Sequence, residues 1–437
     1  MLSHSTRSHI GLVMVILLCL FPIVPWLTMK PLDLRFGSFV MWATSIGQLT
    51  ALLGFAMFSV SLILISRLKW LEAYFGGLDR IFQIHRHLGS IGFLLMLIHP
   101  LALATAFVPV SVASAALFLL PTGSDVLKTL GIMALLMMMS LIAITLYAHW
   151  RYQVLLKTHK ILGIAFMLGA VHAIFIPSDI SNNTALTVYC GGLAFFALSA
   201  YVYRTVFAHA VPKHTFSVKD VRSLGVGVTE VVLDPVGAPL IFDPGQFVFV
   251  SFKNGGVSSE VHPFTISSAP HERELRLTIK ALGDWTSEVP CLAKGADALI
   301  EGPFGGFTES SACRDAEVWV AGGIGITPFL SRARALTSRG LTKPVDLYYT
   351  ANVREDMLFL RELQLIAQRF PGFRVVPYAS KELGFLNAAV LQKQSGPLVD
   401  KDVFVCGPPS MMQGLIRQCK DLGVRSSQIH AEEFSML

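Results

Sequence analysis

The sequence contains few charged residues for its length. Asp, Glu, Lys and Arg make up 15% of its 437 residues, whereas about 25% is usual in soluble domains. The shortage lies in the first half, where uncharged runs cover residues 8–29, 36–66, 88–124, 129–148, 161–178 and 180–203. Most of these runs approach or exceed the roughly 20 residues that cross a bilayer as a helix. The pattern excludes a purely soluble protein and predicts six membrane-spanning helices.

Cysteine motifs are also missing. The six cysteines form no Cys-x-x-Cys pair, so neither an iron–sulfur cluster nor a zinc site is indicated. A disulfide framework is not expected in a module on the cytoplasmic side. The first apolar run has no small-residue cleavage site after "CLFPIVPWL". We therefore expect that run to remain as a membrane anchor rather than to be removed as a signal peptide.

The second half has a different composition. From about residue 213 to residue 437, charges recur throughout, together with alternating strand patterns and frequent Gly and Pro. Such a pattern is typical of a water-soluble α/β region. We predict a six-helix membrane domain at 1–208 that carries this soluble module, with a short basic junction at 206–216.

Positive charge is concentrated on one side of the predicted spans. With a cytoplasmic N-terminus, the outer loops contain only Lys30, Arg35 and Lys128. The inner loops contain Arg67, Lys69, Arg80, Arg86, Arg151, Lys157, Lys160, Arg204 and Lys213. The positive-inside rule then places the soluble half in the cytoplasm. The net charge of +6 is explained by the basic residues of the inner loops, which are attracted to anionic membrane lipid, and no nucleic-acid partner is predicted.

Four histidines lie within or at the ends of two predicted spans. Ionisable side chains at membrane depth are rare and indicate function by default. His85 and His99 are 14 residues apart in the third span, which is about 21 Å and nearly four turns of helix. His159 and His172 are 13 residues apart in the fifth span, which runs in the same direction. The spacing predicts two facing pairs at two depths, each of which would ligate one haem iron from both sides.

One alternative and one difficulty accompany this interpretation. Taken singly, each histidine could be a core residue bonded to Ser or to a backbone carbonyl, but two pairs of nearly equal spacing favour metal ligation. On an ideal helix His172 lies roughly 140° around the axis from His159. We therefore expect a tightened turn near Gly163 or Gly169, or haems that are tilted differently. Two other histidines do not fit the spacing and are expected at the inner surface: His87 and His149.

Two motifs in the soluble module stand between strand-like segments. The segments 242–252, 274–282 and 297–305 are bounded by turn residues and predict a small antiparallel barrel at 213–312. The motifs are "HPFTISSAP", residues 262–270, and "GDWTSEV", residues 283–289. In this order they resemble the flavin-binding signature of the NADPH oxidase and ferric reductase family, whose cytoplasmic half is similar to ferredoxin–NADP reductase. The histidine pairs, with His-Arg-x-x-Gly at 85–89, resemble the family too.

The resemblance implies an FAD site in the barrel. The isoalloxazine and ribityl chain would contact Pro263, Phe264, Thr265 and Ser267. The pyrophosphate would lie at Gly283 and Thr286, because a glycine allows close backbone approach and a hydroxyl donates to phosphate oxygen. His262 stands where many soluble relatives have Arg, which leaves its role toward the pyrophosphate open. Either motif alone is equally consistent with a strand and turn that bind no ligand.

The segment "EVWVAGGIGITPFL", residues 317–330, combines a buried strand, a glycine turn and a helix start. It predicts an α/β NAD(P)-binding domain at 313–437, with Pro328 at the first helical position. A dinucleotide pyrophosphate can approach closely at Gly322, Gly323 and Gly325. By resemblance, the nicotinamide ring would be flanked by Thr327, Cys406, Gly407 and Pro408.

Several residues have two open interpretations. Arg354 would pair with an adenosine 2′-phosphate and select NADPH, or it is a solvated arginine in a first helical turn. Phe434 would be the C-terminal aromatic that family members place over the flavin, or it packs in the core. Lys30 and Arg35 would attract an anionic chelate or a haem propionate, or they mark an ordinary membrane boundary.

The resemblance implies a flavocytochrome b that moves electrons from NADPH or NADH through FAD and two b-type haems to an acceptor outside. Family members reduce oxygen to superoxide or reduce ferric chelates, and the outer loops do not discriminate between these acceptors. The short loops favour a multi-pass protein of a bacterial inner membrane that needs no obligatory protein subunit. The alternative is an electron donor to a docked periplasmic redox protein, with the outer loop 108–121 as the docking surface. A non-redox transporter is a more remote alternative.

Overall fold

The structure is a computed structural model that describes residues 4–121, 125–148, 152–207 and 211–432. The chain forms two compact units, one built mainly from residues 7–211 and the other mainly from the residues after 211. Each unit has the secondary structure that its composition predicts.

The described part of the N-terminal half is helical. Its helices are α1 (His4–Leu20), α2 (Ile23–Thr28), α3 (Leu32–Phe36), α4 (Phe39–Leu64), α5 (Lys69–Glu72), α6 (Leu78–Thr105), α7 (Val112–Phe118), α8 (Val126–Tyr147), α9 (Tyr152–Lys160), α10 (Leu162–Phe175) and α11 (Thr184–Thr205). Helices long and apolar enough to cross a membrane cover Ile10–Thr28, Phe39–Leu64, Leu78–Thr105, Val126–Tyr147, Val154–Phe175 and Thr184–Thr205. The prediction of six spans is confirmed.

Several long helices begin at a polar residue that caps the first turn. The side-chain oxygen of Ser38 accepts from the N–H of Met41 at the start of α4. Asp125 and Asn183 do the same for α8 and α11. Each cap satisfies a backbone N–H that has no partner inside its helix. A polar cap therefore defines where each of these apolar helices begins.

The first sheet after the membrane domain is antiparallel. Its strands are β1 (His214–Gly225), β2 (Val228–Pro235), β3 (Phe247–Lys253), β4 (His262–Thr265), β5 (Leu275–Lys280) and β6 (Asp297–Phe304), in the order β4-β3-β6-β1-β2-β5. Ile266, the residue after β4, bridges Leu277 of β5 at the opposite edge. The sheet therefore closes on itself, which confirms the predicted barrel. A short helix, α12 (Asp284–Glu288), follows β5.

The second sheet is parallel. Its strands are β7 (Glu317–Gly322), β8 (Val345–Ala351), β9 (Phe373–Ala379), β10 (Asp402–Cys406) and β11 (Ile429–Glu432), in the order β11-β10-β7-β8-β9. The helices between them are α13 (Thr327–Arg339), α14 (Leu360–Arg369), α15 (Ser380–Leu383), α16 (Ala388–Ser395) and α17 (Pro409–Asp421). The strand order reverses between β7 and β10. In open parallel sheets, ligands bind at the carboxyl ends of the strands at such a switch point.

Candidate functional site

The four predicted histidines form two facing pairs. His85 of α6 and His159 of α9 have ring centroids 6.3 Å apart, with planes at 75°. His99 of α6 and His172 of α10 have ring centroids 6.5 Å apart, with planes at 59°. His159 is exposed, and the other three are half-buried. The pairing therefore follows the sequence prediction, although His159 and His172, which were predicted on one helix, lie on two.

The helix carrying His159 and His172 is broken between them. Lys160 ends α9 and Leu162 begins α10. At the break, the N–H of Ile161 donates to the carbonyl of Thr158, and the carbonyl of Ile161 accepts from Ile164 N. These i to i+3 bonds are typical of a tighter 3₁₀ turn, which advances about 120° per residue instead of 100°. The tightening expected near Gly163 thus lies at Ile161, and both histidines reach their partners.

Backbone carbonyls orient three of the four rings. His99 Nδ1 lies 2.8 Å from the carbonyl oxygen of Gly47, and His172 Nδ1 lies 2.8 Å from that of Leu127. His85 Nδ1 lies 3.1 Å from the carbonyl of Ser61 and 2.6 Å from its hydroxyl. A carbonyl oxygen can only accept, so Nδ1 carries the proton in each ring and Nε2 keeps its lone pair. Metal-binding histidines are commonly oriented in this way.

Helix α4 supplies two of these carbonyls at matched positions. Gly47 and Ser61 are 14 residues apart, the same spacing as His99 and His85 on α6. Because α4 and α6 run in opposite directions, Gly47 serves His99 and Ser61 serves His85. These orienting residues were not predicted from the sequence, because every residue has a backbone carbonyl and the spacing is recognisable only once the packing of α4 on α6 is known.

The residues present fit bis-histidine haem ligation. Two metal–nitrogen bonds of about 2 Å each, plus the distance from each ring nitrogen to its ring centre, add to roughly 6 Å, which is close to both observed separations. Gly89 lies four residues after His85, on the same helix face. A Cβ atom added at Gly89 would meet nothing within 4 Å, so that face offers space for a flat group.

A buried charge network lies on α2, α3 and the segment before α11. Arg35 is only 2% exposed, and its guanidinium stacks on Trp26 with Cζ 3.6 Å from the ring centroid. Arg35 Nη1 lies 3.2 Å from the carboxylate of Asp179, which also pairs with Lys30 at 3.1 Å. Gln48, beside Gly47, accepts from Arg35 at 3.3 Å. The charge of Arg35 is therefore balanced within the protein.

The first flavin motif forms β4 and the turn after it. Along this strand His262 and Phe264 alternate with Pro263 and Thr265. The rings of His262 and Phe264 both pack on Trp285, at centroid distances of 4.3 Å and 5.8 Å. Trp285 belongs to the second motif, so the structure brings the two motifs together. Trp285 was not predicted as a site residue from the sequence, although it lies within the second motif.

Two hydroxyl groups that were predicted to contact FAD form hydrogen bonds within the protein. Ser267 is fully buried; its Oγ donates to the carbonyl of Arg276 at 3.0 Å and accepts from Thr278 at 2.9 Å. The hydroxyl of Thr286 accepts from the N–H groups of Leu282 and Gly283, each at 2.9 Å, and so caps α12. Both hydroxyls therefore have structural partners. Gly283 differs, because a Cβ atom added there would meet nothing within 4 Å.

The glycine turn after β7 meets the end of β10 at the switch point. A Cβ atom on Gly325 would overlap the carbonyl oxygen of Cys406, and one on Gly322 would lie 2.8 Å from Pro408 Cδ. Gly407 is equally crowded, with Gly322 Cα 2.9 Å from an added Cβ. Gly323 has φ +55° and open space at its Cβ position. Three of these glycines are thus needed for packing, whereas Gly323 has open space beside it and a backbone conformation that favours glycine.

The remaining predicted residues lie at three places. Thr327 and Pro328 are buried at the start of α13, and the Thr327 hydroxyl donates to the carbonyl of Ile324 at 3.2 Å. Cys406 is completely buried, and burial raises the pKa of its thiol well above the usual value, with a smaller contribution from Glu432. Arg354 is exposed in a short turn after β8. Two residues singled out from the sequence lie outside the described residues: His149 and Phe434.

Glu432 is a further residue that sequence reasoning missed. It is buried and lies opposite Cys406 in the parallel pairing of β10 and β11. Its position in "HAEEF" beside the predicted aromatic was the available signal. It adds a carboxyl group next to Cys406 at the switch point.

Comparison with known proteins agrees with this layout. Residues 50–170 match the ferric reductase like transmembrane component, residues 213–306 an FAD-binding domain, and residues 319–416 the oxidoreductase NAD-binding domain. The chain therefore contains a membrane component and the domains of a flavin-dependent oxidoreductase.

Curated relatives match the soluble half. The glycine betaine monooxygenase reductase subunit of Chromohalobacter salexigens is 29% identical over 210 residues, which are 44% of this chain and 56% of the relative. A ferredoxin–NAD(P)+ reductase component of naphthalene 1,2-dioxygenase/salicylate 5-hydroxylase systems from Ralstonia sp. is 27% identical over 216 residues, 45% of this chain and 61% of the relative. The chain thus spans little more than half the length of these relatives.

One solved structure is similar along most of the chain. It is a flavohemoglobin from Malassezia yamatoensis with bound FAD and heme, with a TM-score of 0.51, 18% identity and coverage of 91% of this chain and 98% of that one. At this identity the likeness concerns fold alone. The family matches carry the assignment: the chain has the architecture of the NADPH oxidase and ferric reductase family, a ferric reductase-like membrane domain fused to a ferredoxin–NADP reductase-like dehydrogenase.

Proposed function

We propose that the protein carries electrons across the membrane, from cytoplasmic NAD(P)H through FAD and two b-type haems to an acceptor on the outer side. The single observation that carries this proposal is the pairing of four imidazoles with centroid separations of 6.3 and 6.5 Å. His85 and His159 would hold the inner haem, and His99 and His172 the outer haem.

The orientation of the rings supports this role. In the three rings that bond to carbonyls, Nδ1 is a donor, so Nε2 is the nitrogen that can bind iron. Ordinary core histidines would not be expected to face one another in two pairs. The two histidines of α6, one from each pair, are about four helix turns apart. The carbonyls also increase the basicity of these three ligands.

The dehydrogenase half would bring nicotinamide and flavin together. Gly323 would admit the dinucleotide pyrophosphate, and Thr327, Cys406 and Gly407 would lie beside the nicotinamide. When bound, the flavin takes a hydride with its two electrons from the nicotinamide and releases those electrons singly to the haems. The neutral thiol of Cys406 places no charge beside the nicotinamide, because its pKa is raised by burial.

The charged loops support a cytoplasmic dehydrogenase. Basic residues concentrate at the loops that this topology places inside. Electrons then move outward, and an inside-negative membrane potential favours that movement by about 2.3 kcal/mol per electron per 100 mV. A bacterial inner membrane satisfies these conditions.

The proposed acceptor is oxygen or a ferric chelate, with no obligatory protein subunit. If two histidines ligate each iron, the acceptor must be reduced without binding to the metal. The outer loop also supports the alternative of a docked periplasmic redox protein, because α7 within it carries exposed apolar residues such as Val112, 74% exposed, and Leu117, 57% exposed.

A preference for NADPH over NADH is supported by two cations near the end of β8. The backbone N–H of Lys381 in α15 donates to the carbonyl of Asn352 at 3.1 Å, which brings α15 close to the turn that holds Arg354. A 2′-phosphate binds favourably to such a pair of cations. Arg354→Ala should therefore weaken NADPH binding more than NADH binding.

An optical spectrum tests the central proposal. Purified full-length protein should contain two bis-imidazole haems, and NADPH should reduce both only when FAD is present. A colourless protein, or one whose haems NADPH cannot reduce in the presence of FAD, would refute the proposal.

A comparison of acceptors separates the alternatives. In vesicles whose orientation is known, oxygen and ferric citrate are supplied on the outer side, and superoxide and ferrous iron are measured. Fast turnover with either one identifies a small-molecule acceptor. Slow turnover with both, in a protein whose haems NADPH reduces rapidly, would favour the docked redox protein.

A further inference from the structure

Helix α13 presents two different faces to its surroundings. Phe329, Leu330 and Ala333 point into the core of the parallel sheet. Ser331, Arg334 and Ser338 instead contact the segment 267–271, which follows the flavin strand β4. Their spacing of three and four residues places them on one side of the helix. We call these three residues the α13 stripe.

The contacts of the α13 stripe are direct hydrogen bonds. The hydroxyl of Ser331 donates to the carbonyl of Ser268 at 2.7 Å, and Arg334 Nη1 donates to the carbonyl of Ser267 at 2.8 Å. Ser338 Oγ lies 2.9 Å from His271 Nδ1. Ser331, Ser267 and Ser268 are fully buried. Water therefore cannot easily replace the first two bonds.

Arg334 has partners in both domains. Its Nε and Nη2 bind the two carboxylate oxygens of Glu362 on α14, at 2.6 and 2.9 Å. Its remaining nitrogen reaches Ser267, and Glu230 of β2 lies 4.0 Å away. Such a two-bond arginine–carboxylate contact fixes the plane of the guanidinium as well as its position. Glu362 of the NAD(P) domain thus fixes the orientation of Arg334, and Arg334 in turn donates a hydrogen bond to the FAD domain at Ser267.

The serine pair at 267–268 is held equally firmly on the other side. The hydroxyl of Ser267 donates to the carbonyl of Arg276, and the hydroxyl of Ser268 accepts from the N–H of Arg276 at 3.1 Å. The side chains thus tie this segment to the barrel at β5, while the carbonyls face α13. This arrangement gives the two serines of "HPFTISSAP" a purpose other than contact with a cofactor.

The contacts lie very near both predicted cofactor sites. Ser267 is two residues after Thr265, and Ser331 is four residues after Thr327. We propose that the α13 stripe is a positioning device: Arg334, with Ser331, holds the nicotinamide-binding turn at a fixed distance from the flavin-binding strand. Arg334 is a positioning residue that touches neither cofactor. The proposal rests on one part of the proposed function, the transfer of hydride from NAD(P)H to FAD.

The test replaces Arg334 with lysine in the full-length protein. Lysine keeps the charge but cannot bond to Glu362 and Ser267 in one plane. Small errors in the alignment of reacting groups slow a reaction strongly. At saturating NADPH without oxygen, we expect flavin bleaching to slow on the order of tenfold, while the KM for NADPH and the affinity for FAD stay within about twofold.

The matched control is Arg339→Lys, the same substitution at the end of α13, where the arginine forms only a 3.9 Å surface contact with Asp243. This variant should behave as wild type. Equal bleaching rates in Arg334→Lys and Arg339→Lys would overturn the proposal. A slower rate that merely follows a loss of FAD would overturn it as well, because that would indicate a structural role alone.

A further measurement and a second variant test the same proposal independently. Amide hydrogen exchange at residues 267–276 should be faster in Arg334→Lys than in Arg339→Lys, and unchanged exchange contradicts the proposal. If Arg334→Lys does not fold, Glu362→Gln serves instead, because it weakens the same two-bond contact. A flavin bleaching rate equal to that of wild type in Glu362→Gln would then contradict the proposal.

Failure of the proposed function is distinguishable from failure of the positioning role. Reduction of the haems by dithionite does not need hydride transfer, so the dithionite-reduced haem spectrum should be equal in wild type and Arg334→Lys. A wild-type protein whose haems remain oxidised while its flavin bleaches would refute the electron path and leave the role of Arg334 intact.

Discussion

The membrane half and the dehydrogenase half use polar residues differently. In the membrane half, all four histidines selected from the sequence face one another in pairs. In the dehydrogenase half, two selected hydroxyls, Ser267 and Thr286, are bonded to the protein itself. A polar group in hydrocarbon is costly and rare, so its presence indicates function. In a soluble domain, Ser and Thr often serve turns and helix caps.

The two halves also orient their functional groups differently. The histidine rings are held mainly by backbone carbonyls of helices that pack closely. The segment after the flavin strand is held by side chains, through Ser268, Thr278 and Arg334. Backbone carbonyls cannot be removed by substitution, so the membrane sites should be sensitive to helix packing. The soluble sites should be sensitive to individual side chains.

The largest expected effect is the loss of one haem. His99→Ala or His172→Ala should remove the outer haem and leave about half of the bis-imidazole absorbance, because each haem needs both ligands. NADPH-driven reduction of the external acceptor should fall to background. The measurements are the reduced-minus-oxidised spectrum and the acceptor assay.

The control for this loss is His87→Ala. His87 is exposed and lies on the same helix as His85 and His99, but it has no facing histidine in the part of the chain that the structure describes. Its replacement should leave the spectrum unchanged. A full bis-imidazole signal in His99→Ala would show that His99 is not a haem ligand and would remove the contrast between the two halves.

A smaller effect is expected from changing the packing around a ring. An alanine Cβ at Gly131 of α8 would lie 2.8 Å from the ring of His172, which is closer than two non-bonded carbon atoms can approach. The ring or the helix must shift, and we expect outer-haem affinity to fall by about 10-fold to 100-fold, as when an orienting partner is removed. The inner haem should be unaffected. Haem content and a redox titration measure this.

Gly169→Ala is the matched control, because its Cβ would make only an ordinary 3.8 Å contact with Ala134. Similar losses in both variants would mean that general helix packing, rather than the contact with His172, determines haem binding.

The sequence predicts the local features of the fold better than it predicts contacts between distant segments. The six spans, the antiparallel barrel and the parallel sheet follow from long apolar runs and strand patterns, which are local signals. The break at Ile161 could be expected from the 13-residue spacing but not located, because either nearby glycine offered an equal explanation. The closure of the barrel by Ile266 and Leu277 depends on a contact between distant strands, which no local pattern indicates.

The candidate sites show the same limit. The histidines were identifiable because their chemistry is unusual in an apolar segment. The carbonyls of Gly47 and Leu127 were not, because every residue has a carbonyl and only the packing of helices selects one. Trp285 and Arg334 were missed for a related reason: each acts through contacts with segments that are distant in the sequence.

A third effect, in the dehydrogenase half, tests which motif residues contact FAD. Gly283 is extended and has free space at its Cβ position, so alanine fits the protein alone. Close approach of a pyrophosphate would be hindered, and we expect FAD affinity to fall on the order of tenfold, the cost of about one hydrogen bond. Fluorescence titration of FAD into apoprotein measures this.

The comparison variant is Thr286→Val. It removes the cap of α12 and should lower stability by about 1 kcal/mol, with a smaller change in FAD affinity than in Gly283→Ala. If Thr286→Val loses FAD as strongly as Gly283→Ala does, the hydroxyl contacts the cofactor despite its bonds to Leu282 and Gly283.

The smallest expected effect concerns Cys406, a buried group within the soluble half. Burial raises the pKa of its thiol in the folded protein, whereas a thiol in the unfolded chain ionises near pH 8.5. The stabilising contribution is therefore fully present below that pH and is lost as the pH rises above it. The stability difference between wild type and Cys406→Ala should shrink by about 1 kcal/mol from pH 8 to pH 9.5. Thermal unfolding of both proteins at several pH values measures it. A constant difference would mean that Cys406 ionises equally in both states, and that burial in this soluble core does not disfavour a charge as the membrane interior does.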